Sequence, residues 1–414
     1  MDRIACGSRT IDLGGTVRAD SVANSLARAR AVMPALGITR LANVTGLDHV
    51  GVPTWTAVRP LALSLSISQG KGLTHDLAKV SALMECIEVH HAEHFVPRGP
   101  MRSLRAAAAD ASHVHPLLLP IRPDVSIDDG ARAEWVAGRS LHDGSARWVP
   151  RDCIEIDSSL RRMRDKLFVG STNGLASGNT HDEAILHALC EIIERDQQAF
   201  WHVRRQFSLG ARPSRLRLES VTDPSCRWLL DRCREGGLQV VAWHMTQEVP
   251  VPCFSCVVFD SSASTFYPQR ASGSGCHPYR RIALSRAITE ALQSRLTFIA
   301  GGRDDAYWSL YRDGLRADDE AGRVWGEAEA AKAARLDFED VPEAPPLRSI
   351  DALLEWVLEK LAGAGFGEAI VVDLTQAQIE VPVVHVTVPG AEGVATHAGY
   401  TPGPRMQALL AKRS

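Results

Sequence analysis

Pairs of glutamates one helical turn apart occur twice in this chain, in matching surroundings: Glu85 with Glu88, and Glu191 with Glu194. Residues three apart on a helix share a face. At about 100° per residue, Glu183, His187, Glu191 and Glu194 fall within an arc of roughly 80°. Ser81, Glu85 and Glu88 form a second stripe at i, i+4 and i+7. The residues between are mostly Ala, Ile, Leu and Cys, so both helices are expected to be buried. Like charges one turn apart repel by about 0.2–0.5 kcal/mol even in water, and burying them unpaired costs several kcal/mol per ion. A cation is therefore expected beside them. Mg2+ suits the role, because it is a hard ion that bridges a few carboxylates to substrate phosphates. The plainer alternatives are ion pairs with arginines such as Arg195, or a capping box between Glu183 and Thr180.

The elements that position these carboxylates are repeated. Residues 72–89 and 178–195 align at a constant offset of 106, and 10 of the 18 positions are identical. Each copy reads as a glycine-marked turn, a threonine N-cap (Thr74, Thr180) and a helix. A fainter third copy contains Ala283, Arg286 and Thr289, with Glu290 and Gln293 in the glutamate places. Gly70-Lys71-Gly72 precedes the first helix and lacks the G-x-x-x-x-G-K-[ST] spacing of a P-loop. Its N–H groups and Lys71 could hold phosphates beside a metal; otherwise it is a connecting turn. Arg286 and Arg295 lie on the third helix and suit forked phosphate contacts, with pairing to Glu290 as the structural alternative.

Two further motifs carry less weight. His90-His91-Ala92-Glu93-His94 fits the H-x-x-E-H pattern of zinc peptidases, but no downstream acidic ligand can be located, so capping or surface histidines are expected and no zinc. Cys253-Phe254-Ser255-Cys256 is a lone C-x-x-C on a strand-like run. Residues three apart on a strand face opposite sides, so buried core thiols are expected.

The 414 residues suffice for one large or two medium domains. With 45% hydrophobic and 23% charged residues and a net charge of −3, nothing points to nucleic acid or a membrane. Nine cysteines without a framework spacing, and no signal-like or spanning apolar run, make the cytoplasm the expected location. Residues 18–37 read as an amphipathic helix, and Thr54–Val58 and Leu61–Ile67 as strands. Gln239–His244, Val251–Phe259, Ala369–Leu374 and Val381–Val388 also read as strands. The stretch 273–278 reads as a glycine-rich turn and Leu353–Leu361 as a helix. Residues 98–165 read as short mixed elements, 303–348 as a polar lid or excursion, and 400–404 as an extended tail. Alternating strands and helices give an α/β or α+β fold with internally repeated units.

At these residues the chain resembles the YcaO family of ATP-dependent enzymes that modify the peptide backbone. The segments that carry the likeness are Ser68-Gln69-Gly70-Lys71-Gly72, Ser81 with Glu85 and Glu88, 174–180 with Glu183, 191–196, and Arg286 through Glu290 to Gln293. They occur in order across roughly residues 17–400. The resemblance implies ATP and Mg2+ bound without a P-loop. It implies Glu85, Glu88, Glu191 and Glu194 as metal ligands, with Asn179, Glu183, Arg195 and Arg286 near nucleotide or metal and Arg18 and Ser25 as further nucleotide contacts. It divides the chain into an N-terminal region (1–65) contributing to the nucleotide site, a core (66–302), the excursion (303–348) and a C-terminal part (349–414). Val89 stands where many members have Arg, and Pro402-Gly403-Pro404 replaces the Pro-x-Pro-x-Pro tail frequent among azoline formers. Residues 37–48, 51–53 and 300–305 are similar to members paired with TfuA-type proteins, which are associated with thioamide formation. The implied substrate is a precursor peptide or protein, with a TfuA-like sulfur-delivery partner, and a homodimer is compatible. An azoline-forming cyclodehydratase and a non-catalytic ATP-binding accessory factor are the alternatives.

Overall fold

In the computed structural model of the chain, residues 9–128, 130–157, 166–207, 209, 214–260, 270–302, 333–393 and 400–412 are described. Three strand–helix units organise it. Strand β1 (Ile67–Lys71) leads into helix α1 (His75–Glu93), β2 (Leu175–Ser177) into α2 (His181–Phe207), and β3 (Arg270–Cys276) into α3 (Arg280–Ala300). Thr74 caps α1 by accepting from Leu77 N at 3.3 Å, and Thr180 Oγ1 accepts from Glu183 N at 3.1 Å. Helix α3 ends on Gly301, whose φ of 58° is a left-handed stop.

Glycine lets the strands lie hard against the helices. A Cβ on Gly70 would come within 2.0 Å of Ala82 N, and one on Gly275 within 2.2 Å of Ala283 O. That approach explains two departures from the sequence reading. The Gly-Lys-Gly stretch and the 273–278 stretch look like turns because glycine usually marks turns, yet 67–71 and 270–276 are strands. In the opposite sense, Leu61–Ile67 is not a strand. Leu61 is 89% exposed on a connection, and pairing begins only at Ile67.

Each unit strand belongs to its own sheet. β1 edges an antiparallel three-stranded sheet with Arg40–Asn43 and Thr54–Val58. β2 edges a six-stranded sheet, pairing with Val383–Thr387, which pairs in turn with Ile370–Asp373 and then Arg132–Ser140. β3 edges a five-stranded sheet with Cys253–Asp260, Leu238–His244, Ser214–Leu216 and Ala334–Leu336. Apart from the parallel pairing of the last two, the strand pairs are antiparallel. The chain is thus mixed helix and sheet in its α+β form, and the regions set apart at 65/66 and 348/349 share sheets with the repeats.

Apolar faces fill the spaces between layers. Helix α2 buries Ile185, Leu189 and Ile193 with Val384, Val386 and the helix Ile350–Gly363. Helix α1 buries Leu83 and Ile87 with Leu175, Ile370 and Val383. Helix α3 buries Leu284, Ile288 and Leu292 with Phe254 and Val258.

Other boundaries move. The helix expected over 18–37 is Val22–Ala31, capped by Ser21, and Arg18 lies before it on the short strand Val17–Arg18. Within the excursion expected at 303–348, residues 303–332 lie outside the described residues. The rest is built into the fold: Ala334–Leu336 pairs with Ser214–Leu216, and Phe338 and Val341 are core residues. Beyond residue 403 the tail is a helix, Pro404–Ala411, seated by Met406 against Phe200 and Val203.

Replacing Gly70 with Ala should destabilise the protein by about 2–3 kcal/mol, because the new methyl meets helix backbone rather than a yielding side chain. Gly363→Ala, with nothing within 4 Å of the added Cβ, should leave stability equal or slightly higher. Thermal melts of the two variants check this; similar melting temperatures would contradict the close approach.

Candidate functional site

The three unit helices turn their carboxylate stripes into one cavity of about 410 Å³. The twelve residues assigned to metal or nucleotide from the sequence line it: Arg18, Ser25, Lys71, Ser81, Glu85, Glu88, Asn179, Glu183, Glu191, Glu194, Arg195 and Arg286. They come from four separated stretches of chain.

The glutamates are held in a cyclic pattern. Glu88 on α1 accepts from the N–H and hydroxyl of Ser177 on β2, at 2.8 and 2.6 Å. Glu194 on α2 accepts from Ser274 Oγ on β3 at 2.7 Å. Gln293 on α3 closes the ring by donating to the carbonyl of Gln69 on β1 at 3.1 Å. Each helix therefore reaches the strand of the next unit from the same position of the repeat. The preceding position, Glu85, Glu191 or Glu290, faces the cavity. Glu85 also accepts from Gln69 N at 3.1 Å, and Glu290 pairs with Lys71 Nζ at 3.1 Å.

Glu183 is buried and fully engaged. It accepts from Ala19 N at 2.7 Å, Arg18 Nη1 at 3.2 Å and Asn179 Nδ2 at 3.1 Å. Only the Thr180 half of the capping box forms, Thr180 Oγ1 accepting from Glu183 N, while the Glu183 carboxylate turns to the N-terminal segment and Asn179. Ser25 Oγ donates to Asn179 Oδ1 at 2.7 Å. The 18–25 segment thus tightens one wall of the cavity.

Among the described residues, six glutamates (85, 88, 183, 191, 194, 290) face four cations (Arg18, Lys71, Arg195, Arg286) around this cavity. Arg195 pairs with both neighbours at the outer limit of ion-pair distance, 4.0 Å from Glu191 and 3.9 Å from Glu194, so one cation is shared between two carboxylates. Burial pushes the Glu88 carboxyl up to about 8, against the Ser177 hydrogen bonds, with Glu85 and Glu191 adding to the rise. Burial also lifts Glu191 to about 7, opposed by Arg195 and reinforced by Glu194. At Glu290, Lys71 and Arg195 outweigh burial and hold the carboxyl below its ordinary range. Burial, and then Arg286, keep His187 neutral; Arg286 Nη2 lies 3.3 Å from its Nε2.

With all six glutamates ionised these residues would carry two negative charges in excess and repel a polyphosphate, and a divalent cation beside them would offset that repulsion. Among the described residues no three His, Cys, Asp or Glu side chains form a ready-made metal cage. The donor set is all oxygen and partly open, which fits a Mg2+ ion that takes its remaining ligands from phosphate and water. It does not suit a thiolate- or imidazole-seeking metal.

Three candidates from the sequence lie elsewhere. Arg295 is 1% exposed and bonds Asp48 at 2.9 Å and Asp260 at 2.8 Å, so it ties α3 to its surroundings. Glu93 of the H-x-x-E-H run is paired with Arg59 and accepts from Ser64 N, while His91 Nδ1 is bonded to the Ile87 carbonyl. Cys253 and Cys256 are both buried within the strand Cys253–Asp260. Sequence reasoning missed Gln69, Ser177 and Thr289 in the cavity wall. The third repeat already pointed to the Glu290 and Gln293 positions.

Fold and cavity together define a carboxylate-lined site built from repeated helices. The chain belongs to the YcaO family: residues 69–392 match the family model described as YcaO cyclodehydratase, ATP- and Mg2+-binding, and ATP and Mg2+ are the family's cofactors. A protein of Rhizobium leguminosarum bv. trifolii, named as an uncharacterized protein in the tfuA 3' region, is 33% identical over 91% of this chain and 88% of its own length. A Mycobacterium tuberculosis protein, also uncharacterized, is 33% identical over 86% of this chain and 77% of its own. Among solved structures, YcaO from Methanopyrus kandleri bound with AMPPCP and Mg2+ superposes with a TM-score of 0.72 at 22% identity, over 96% of this chain and 99% of that one. A heterocyclase in complex with substrate and cofactor gives 0.76 at 23% identity. The match covers 94% of this chain and 55% of the heterocyclase, so the chain spans about half of that protein. Among the described residues no helix is long and apolar enough to cross a membrane.

The raised carboxyls make stability depend on pH. Glu88 and Glu191 titrate higher in the fold than the ordinary 4.5. Their stabilising neutral forms are fully present below about 4.5, and the contribution is lost as pH rises through about 7 to 8. The metal-free melting temperature should therefore fall between about pH 4.5 and 8 and level off above that. Glu88→Gln should flatten the fall, and Mg2+ affinity should improve over the same interval. A melting temperature that climbs with pH, unaffected by the substitution, would contradict the burial of these charges.

Proposed function

We propose that this protein uses ATP and Mg2+ to activate a backbone amide of a ribosomally made peptide or protein, and that the product is a thioamide formed with sulfur from a TfuA-like partner. The observation that carries the reading is the single cavity in which carboxylates and cations from all three units converge, within a chain of the YcaO family. The position of the Rhizobium relative in the tfuA 3' region favours the sulfur branch.

In this assignment Glu85, Glu88, Glu191 and Glu194 hold the metal. Mg2+ bound there would neutralise the phosphates and the charge that develops on them. Lys71, Arg195 and Arg286 face the phosphates, while Arg18, Ser25, Ser81, Asn179 and Glu183 shape the remainder of the nucleotide site. The chemistry asks little else of the protein. Sulfide adds to the amide carbonyl carbon, and the resulting oxyanion attacks the γ-phosphorus of ATP, expelling ADP. Collapse then expels phosphate, which carries away the former carbonyl oxygen, and loss of the sulfur-bound proton leaves C=S. No covalent enzyme nucleophile is required. The alternative is azoline formation, in which a neighbouring Cys, Ser or Thr side chain of the substrate attacks; the family description as a cyclodehydratase supports keeping it. The third reading is an ATP-binding accessory factor without turnover.

Two measurements separate these readings. Glu191→Gln and Glu88→Gln keep side-chain volume and remove charge, so each should lower ATP hydrolysis by at least about 100-fold while the fold persists, consistent with loss of a group stabilising developing charge. Wild-type turnover in both would refute the metal assignment. Reconstitution with a genomically adjacent peptide, a sulfide source and Mg-ATP, read by mass spectrometry, should give a product heavier by the difference between sulfur and oxygen, with ATP turnover rising only when peptide and sulfide are both present. Loss of one water without sulfide would establish the cyclodehydratase instead, and ATP binding without turnover under either condition the accessory role.

A further inference from the structure

The three repeats place one side chain each a helical turn ahead of the cavity glutamates. Ser81, His187 and Arg286 stand four residues before Glu85, Glu191 and Glu290, so each shares a helix face with its glutamate. All three line the glutamate cavity, and none of them is fully buried. The second and third of these equivalent positions meet: Arg286 Nη2 lies 3.3 Å from His187 Nε2.

Arg286 differs from the other cations of the cavity. Arg18 has Glu183 at 3.2 Å, Lys71 has Glu290 at 3.1 Å, and Arg195 has Glu194 at 3.9 Å. Among the described residues no carboxylate stands within ion-pair distance of Arg286, and its side-chain partner is His187. The glutamate one turn along its own helix, Glu290, is taken by Lys71. Arg286 Nε is buried without a partner, so the guanidinium rests on the contact at Nη2.

That contact fixes the chemistry of both groups. A guanidinium only donates, so His187 Nε2 accepts and the ring hydrogen sits on Nδ1. Burial, and then Arg286, Arg18 and Lys71, hold the imidazole well below its ordinary titration range, which keeps the accepting lone pair free of a proton. A carboxylate in the place of His187 would hold the guanidinium more tightly but cancel its charge, and a phosphate would have to displace it. A neutral acceptor anchors the arginine and leaves the charge whole. An arginine already anchored loses less rotamer freedom when a ligand binds, and charge arranged beforehand acts most strongly on charge that develops during reaction.

We infer that His187 is the positioning residue for Arg286: its Nε2 accepts from the guanidinium and holds it on the cavity wall, charge intact, for the phosphates of the nucleotide. The inference rests on the nucleotide reading above and deepens it, since His187 acts through Arg286 rather than on the ligand.

The test uses the full chain. In protein labelled with 15N-histidine, the His187 signals are assigned by their loss in His187→Gln. At neutral pH the wild-type ring should be unprotonated with its hydrogen on Nδ1, and Arg286→Met should lift that restriction. In calorimetry, His187→Leu should weaken Mg-ATP binding by about tenfold, the scale of one lost hydrogen bond to a charged group. His187→Gln keeps a neutral acceptor and should recover most of the loss. His187→Glu supplies a carboxylate and should bind at least as weakly as the Leu variant. In the Arg286→Met background, His187→Leu should cost nothing further, whereas a residue needed only for packing would lower affinity equally in both backgrounds. A protonated ring or an Nε2–H tautomer in the wild type, wild-type affinity in His187→Glu, or equal losses in the two backgrounds would each overturn the inference. Failure of the nucleotide reading would show separately, as wild-type protein that does not bind Mg-ATP.

Discussion

Crowded negative charge is the constraint around which this molecule is arranged. Six glutamates face a single cavity, and their repulsion is tolerated because each repeat hands one side chain to the strand of the next: Glu88 to Ser177, Glu194 to Ser274, Gln293 to Gln69. That ring fixes the helices' rotation, and with it the direction of Glu85, Glu191 and Glu290. The glycine-lined strands set the helices' depth. Had Gly70 or Gly275 carried a side chain, the helices would stand farther out and the three stripes would not meet in one space. The scaffold holds buried carboxylates close together. Burial first, and then the neighbouring carboxylates, lift two of them, Glu88 and Glu191, above their ordinary titration range.

The pseudo-threefold arrangement is imperfect in an instructive way. The third unit keeps the register but replaces one glutamate by Gln293 and ties the other, Glu290, to Lys71. One side of the cavity is thereby less negative than the other two. A polyphosphate chain needs such polarity: carboxylates at one end for the metal, and cations such as Lys71 and Arg286 along the rest. The N-terminal segment adds Arg18 and Ser25 by way of Glu183 and Asn179.

Much of this was legible in the sequence. The repeat, its threonine caps and its carboxylate stripes are local patterns, and local patterns survive folding when the helix they describe is long. The twelve site residues named from the stripes and from the family resemblance line one cavity. Strand identity was less legible. Residues 67–71 and 270–276 carry glycines for close approach to a helix, and sequence alone reads glycine as a turn. Arg295 had the composition of a phosphate ligand, but its partners Asp48 and Asp260 are distant in sequence and appear only in the fold.

The central claim is that the carboxylates of the first two repeats jointly bind the cation that admits a nucleotide. It is tested most directly by crystallising the protein with Mn2+ and a non-hydrolysable ATP analogue and collecting anomalous diffraction. Manganese peaks between the α1 pair Glu85/Glu88 and the α2 pair Glu191/Glu194, with the analogue's phosphates running toward Lys71 and Arg286, are the predicted result. Analogue bound with no anomalous density at those carboxylates, or metal and nucleotide seated outside this cavity, would contradict it.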